Sequence, residues 1–319
     1  LEENKSLSKE KVVLEPQKST FRVRGILGGF SSDKFYSEGV STKNGKAWKR
    51  LNFLVQTTLE SKIYVELMGN EMDKAYAYSQ SKKQSMPIDW DKRNNTKLPD
   101  GFKLIEPDWD KIDRIKKDFD DGKSAVVIGE IQYSEYEEKL QQKFVIKNIL
   151  PASKEVDFEA DDFKEENKFT QELTVTSVNV DKDENKVYLN AYIIQGRGKE
   201  KLPDVQSAVF SYDPNRDKAF AKTMIGFKFG DTMRVQGIIN SKIIKEEIVQ
   251  ASGWGEVDTV ISKTIKDLEI TGGFSETFEK KKYREEDFDE VFTAKQALKD
   301  IGQEEKNKDE ENDTPEWAK

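Results

Sequence analysis

A strand-rich block occurs twice in this 319-residue chain, and that repetition limits the folds open to it more than any single motif does. In the first copy Arg50-Leu51-Asn52-Phe53-Leu54-Val55-Gln56 is followed by Asp121-Gly122-Lys123 and the apolar run Ser124 to Ile131. In the second, Tyr188 to Gln195 is followed by Phe229-Gly230-Asp231 and the run Thr232 to Ile239. Each copy then closes on a further apolar strand, Lys143 to Leu150 and Thr264 to Gly272. A unit repeated at this length is one supersecondary module used twice, so two small β domains are expected.

The rest of the chain divides around them. Residues 1–19 are charged and read as a flexible arm, and 20–151 as the first β domain with a long excursion at 69–122. A charged connector at 152–167 leads to the second β domain at 168–275. Strands are expected near Phe21 to Gly28, Lys46 to Thr57, Lys62 to Leu67, Ser124 to Tyr133 and Lys143 to Leu150. The second set runs Phe169 to Val180, Lys186 to Gln195, Gln206 to Tyr212, Thr232 to Asn240 and Thr264 to Thr271. Short helices fit Trp109 to Asp118 and Arg216 to Met224. At 276–302, Phe288, Val291, Phe292, Leu298 and Ile301 share one side of an amphipathic helix that Gly302 would stop. The polar segment 303–319 is expected to be disordered.

Composition narrows the chemistry. The chain has no cysteine and no histidine, which removes disulfides, thiolate catalysis, cysteine-held zinc and the commonest general base. No cofactor or metal site is read from what remains, and catalysis is not expected. No apolar run approaches a membrane span and the charged start lacks a signal core, so a soluble cytoplasmic protein is expected. The formal charge of -8 is uneven: residues 276–319 hold 15 acidic and 9 basic side chains, leaving 46 acidic and 44 basic before them. A near-neutral body with an acidic end is compatible with a local basic surface.

Five strands with a helix or excursion between the third and fourth, in both copies, is the layout of an OB-fold barrel. Phe229-Gly230-Asp231 before Met233-Arg234-Val235-Gln236-Gly237 resembles the "G-D-x-x-x-V-x-G" approach to the fourth strand of such barrels. Asp121-Gly122-Lys123 departs from that order but keeps the strand glycine, Gly129. The whole chain resembles bacteriophage or prophage single-stranded DNA-binding proteins, through the two barrels and an acidic tail with an aromatic near its end, here Trp317. That resemblance implies a non-enzymatic protein that coats and protects replication or recombination intermediates in the cytoplasm of an infected or prophage-bearing bacterium. It also implies that the tail contacts replication or recombination proteins, and that copies can associate along DNA. Bacterial versions usually end on phenylalanine, whereas this chain ends Trp317-Ala318-Lys319.

Strand parity selects candidate contacts independently of that resemblance. Leu51, Phe53 and Val55 share a core face, so Trp48, Arg50 and Asn52 point the other way. Arg22 and Arg24 similarly oppose Phe21 and Val23, and Tyr64 opposes Ile63 and Val65. Cations that follow phosphates beside rings that stack on bases are the mixture a single strand requires. Lys34, Phe35 and Tyr36 in the first loop would extend the path, as would Tyr76, Tyr78, Lys82, Lys83, Trp90 and Arg93 in the excursion. In the second copy Tyr188 and Tyr192 take the outward parity, followed by Arg197. Two rival readings exist. One is a barrel protein used only for protein contacts or virion structure; the other is a magnesium-dependent nuclease using Asp89, Asp91, Asp108, Asp110, Asp120 and Asp121.

Overall fold

A computed structural model describes residues 12–136, 139–196, 202–252 and 255–300, with only the course of the main chain over 242–252 and 255–265. β1 (Ser19–Gly28), β3 (Ala47–Gln56) and β4 (Lys62–Asn70) alternate as expected, burying Phe21, Val23 and Leu27, then Leu51, Phe53 and Val55, then Ile63, Val65 and Leu67. The short β2 (Tyr36–Val40) pairs with β3 only. After the excursion come α1 (Asp108–Asp118), β8 (Ser124–Tyr136) and β9 (Lys139–Pro151). β1 pairs with β3 and with β8, β3 with β4, β4 in parallel with β9, and β9 with β8. That circuit closes a five-stranded barrel, and α1 plugs one end with Ile112 and Ile115.

The second copy repeats the circuit. β10 (Glu166–Asp181), β11 (Lys186–Gln195), β12 (Asp204–Tyr212), α2 (Lys218–Ile225), β13 (Thr232–Ser252) and β14 (Gly255–Glu279) follow in order. β10 pairs with β11 and β13, β11 with β12, β12 in parallel with β14, and β14 with β13. The protein is mainly β, with two OB-type barrels in tandem.

The repeat is clearest at the bend of the fourth strand. In the first barrel the β8–β9 register slips between Ile128 and Gly129, and a Cβ on Gly129 would stand 2.0 Å from the Val145 carbonyl oxygen and 2.5 Å from the Phe21 ring. In the second the slip falls at Gln236/Gly237, and a Cβ there would stand 2.1 Å from the Glu269 oxygen and 2.4 Å from the Phe169 ring. A small barrel needs sharply coiled strands, and these bulges coil them where the ring beneath leaves no space for a side chain.

The same two rings mark the junction. β1 and β10 pair antiparallel from Ser19↔Gln171 to Arg24↔Glu166, which places Phe21 directly opposite Phe169. Equivalent residues facing one another make this point a pseudo-twofold axis, about which each barrel's first strand extends the other's sheet.

Three segments differ from the expectation. The excursion holds a second sheet of β5 (Lys74–Ser79), β6 (Gln84–Asp89) and β7 (Lys103–Leu104), in the order β6-β5-β7. β13 and β14 outrun the expected strands and continue as a two-stranded ribbon, paired to Ser252↔Gly255. The arm is tied down from residue 12 onward: Leu14 is buried, Gln17 exchanges hydrogen bonds of 2.7 and 2.9 Å with Ile194, and Glu15 meets Lys282 at 2.8 Å. Leu14 joins Phe288 and Val291 over Ile194 and Val205, where α3 (residues 289–300) settles on the second barrel. Lys295 donates to the Val205 carbonyl and to Gln206, and with Lys299 it ion-pairs Glu135 of the first barrel. The tail 303–319 lies outside the described residues.

Two outcomes follow from this packing. Gly129→Val is expected to lose at least about 2 kcal/mol of stability, since neither the carbonyl nor the Phe21 ring can retreat. Urea unfolding checks it, and a variant within about 0.5 kcal/mol of the parent would contradict the close approach. Hydrogen bonds from Lys295 and Lys299 hold the Glu135 carboxyl below the ordinary carboxylate range. Its contribution is therefore complete above that range and lost as pH falls through the lowered folded value. Glu135→Gln should lower Tm by about 2–4 °C at pH 7, with the gap narrowing below about pH 4 in paired melts.

Candidate nucleic-acid interface

In the first barrel β3 and β4 occupy the second and third positions of the circuit, the pair whose outer face binds oligonucleotides in barrels of this type. Trp48, Arg50, Asn52 and Leu54 lie on the side of β3 away from the core. Tyr64, Glu66 and Met68 do so on β4, in register as Leu54↔Tyr64, Asn52↔Glu66 and Arg50↔Met68. Tyr64 is 54% exposed and Met68 50%, so the core leaves two large apolar surfaces unused. The Arg50 guanidinium meets Glu66 at 2.5 Å, and Lys143 on β9 approaches the other Glu66 oxygen at 3.8 Å. Exposed pairs of this kind contribute only about 0–1 kcal/mol, so a phosphate can replace Glu66 as their partner at little cost.

The neighbours of this face are more occupied. Trp48 lies against β2, where a Cβ on Gly39 would stand 2.9 Å from its ring. Lys49, of opposite parity, meets Asp113 at 2.7 Å and sits 4.3 Å from the Trp109 ring, which fastens α1 to β3. In the first loop Lys34 is exposed, but the Phe35 ring turns inward, 4.4 Å from Phe30 and packed against the core, and thus is not the free platform expected. Tyr36 is covered by Lys116, 3.3 Å from its ring. Burial, then its hydrogen bond to Glu38, pushes its phenol up to about 12.

The excursion separates into two groups. Tyr76 and Tyr78 share the exposed side of β5, 46% and 40% open, with Lys82 and Lys83 at the adjoining turn. Trp90 and Arg93 correct the expectation. Trp90 is buried, and the Arg93 guanidinium stacks 3.9 Å from its ring, donates to its carbonyl at 2.7 Å and grips Asp110 through two bonds of 2.7 and 2.8 Å. Both residues fix α1 to the small sheet.

Arg22 and Arg24 are not brought to Arg50. They sit at the β1–β10 junction, where Arg22 faces Lys168 in register and ion-pairs Glu166, and Arg24 donates to the Lys154 carbonyl at 3.3 Å. On the second barrel Tyr188 keeps its outward place. Its phenol bonds Glu184 and is pushed up to about 12, chiefly by that bond. Tyr192 is instead covered by the C-terminal segment, with Phe288 at 4.9 Å and Phe292 at 5.2 Å, and by Phe229 of the turn before β13 at 6.1 Å. Arg197 and Trp317 lie outside the described residues.

Four of the six aspartates of the nuclease reading are committed elsewhere: Asp110 to Arg93, Asp108 to Lys111, Asp89 to Lys74 and Lys92, and Asp121 to the first loop. Asp121 accepts the backbone N–H groups of Phe30 and Ser31, which holds its carboxyl below the usual range. Among the described residues no three metal-ligating side chains gather. Sequence reasoning missed Met68 and Lys143. Met68 was readable from its shared parity with Tyr64, whereas Lys143 reaches the face only through the parallel β4–β9 pairing.

Comparison with solved structures returns the single-stranded DNA binding protein from Thermus aquaticus. The wild-type protein aligns at 10% identity over 83% of this chain and 94% of its own, with a TM-score of 0.41. A deletion mutant of the same protein aligns at 9% identity over 82% and 93%, with a TM-score of 0.36. No curated protein matches the sequence. The YorF family profile matches residues 20–310, nearly the full length of the sequence, and the chain therefore belongs to the YorF family.

Proposed function

We propose that this protein binds single-stranded DNA without chemistry, coating and shielding strands exposed in replication or recombination. One observation carries the reading: the outer face of β3 and β4 presents Tyr64, more than half exposed, among Met68, Asn52, Arg50 and Lys143. A half-open ring flanked by cations on a rigid sheet suits a flexible strand. Base stacking on such a ring contributes about 1–3 kcal/mol, and the cations supply the salt-dependent share. Tyr76 and Tyr78 on β5 extend the path in this reading. Trp317 and the acidic segment around it would recruit replication or recombination proteins.

Fluorescence titrations with single-stranded DNA, RNA and duplex at two salt concentrations test it. The single strand should bind best and weaken steeply with salt, and Tyr64→Ala should cost about tenfold in affinity with an unchanged melting temperature. No binding at low salt would favour a barrel used for protein contacts. Glu66→Gln gives a second outcome. Freed of their internal carboxylate, Arg50 and Lys143 should hold the strand about two- to fivefold more tightly, where a merely structural Glu66 would leave affinity unchanged or lower.

A further inference from the structure

The pseudo-twofold creates two seams between the barrels, and they are filled differently. In one, β12 lies against β8 and β9; in the other, β4 lies against β13. The first seam is closed by the C-terminal helix, with Phe288 and Val291 buried over Ile194 and Val205 and two lysines on Glu135. Its mate is open. There a shallow groove of about 50 Å³ runs between the barrels, with Tyr64 and Gln142 on one side and Asn240, Lys266 and Asp267 on the other. Ser241 Oγ donates to the Lys62 carbonyl at 2.7 Å and fixes the two walls.

The lining differs from the seam the helix fills in carrying a polar rim over its apolar floor. Buried Ile63, Phe144, Ile239 and Leu268 form that floor, and an exposed ring, two amides, a cation and a carboxylate stand at the rim, so a base can rest on the ring while a phosphate meets the cation. Lys266 is exposed and forms no ion pair among the described residues, while Asp267 is engaged by the Ser211 hydroxyl. Ser211 in turn lies in register with Tyr188 on β11. The groove thus leads from Tyr64 on the first barrel to the equivalent strands of the second, where Tyr188, Asn190 and the half-exposed Val209 share the outward parity.

We propose that this groove is a crossing point, where one strand of nucleic acid leaves the β3–β4 face and passes onto the β11–β12 face. Tyr64 stacks on a base at the near lip and Lys266 draws the phosphate backbone across. The inference rests on the reading of β3–β4 as a single-strand interface. It predicts that short and long strands use different residues, because a barrel of this type accommodates about 4–16 nucleotides.

Oligo-dT of about 8 and about 30 nucleotides, titrated into the full chain, tests it. Lys266→Glu should bind the short strand like the parent and the long strand about tenfold more weakly, with Lys117→Glu on the exposed side of α1 unchanged on both. If the parent binds both strands and Lys266→Glu leaves the long one unaffected, or Lys117→Glu weakens it equally, the strand does not cross here and the β3–β4 reading stands alone. If the parent binds neither, the single-strand reading fails and the crossing with it.

Discussion

The antiparallel ladder between β1 and β10 sets the position of every other feature, because it turns two barrels into one continuous sheet. Main-chain hydrogen bonds across it are directional, and a shift of one residue would turn Phe21 and Phe169 out of their cores together. Each ring lies beneath the glycine bulge of its own fourth strand, so the coil of both barrels and the junction between them share one pair of side chains. The barrels are consequently fixed in relation to one another. The candidate interface on β3–β4 and the groove beside β13 inherit their spacing from that ladder.

What the sequence disclosed was whatever alternates. Leu51, Phe53 and Val55 against Trp48, Arg50 and Asn52 fixed the core side and the outer side of β3 without any structure, and the recurrent strand glycine marked the bends. The small sheet of the excursion escaped because its inward positions are Ala75, Ala77 and Ser79, too small and too polar to register as a buried strand. Site residues failed for another reason. Parity states which way a side chain leaves the backbone, and nothing about what comes to cover it. Tyr192 points outward from β11 and then meets Phe288 and Phe292, nearly 100 residues later in the chain. Arg93 and Trp90 looked like an exposed cation and ring until Asp110 and α1 claimed them.

The two copies have diverged by insertion at different joints. The first barrel placed its extra sheet between its third and fourth strands, beside the exposed face; the second lengthened the hairpin of its fourth and fifth strands into a ribbon. The second also received the terminal helix, whose aromatic cluster hides one end of the β11–β12 pair. One barrel kept an open outer face and the other gave part of its own to holding the chain ends. That division fits a protein in which a single module supplies the principal contact and its copy supplies reach.

Because the β1–β10 ladder ties the barrels through main-chain bonds beside the connector that links them in sequence, the protein has no soft joint with which to follow a ligand. Any polymer that touches both outer faces has to adopt the curvature between them. The cost of bending would then fall on the more flexible partner, and a stiff duplex would be disfavoured by mechanics even where its phosphates satisfied the same cations.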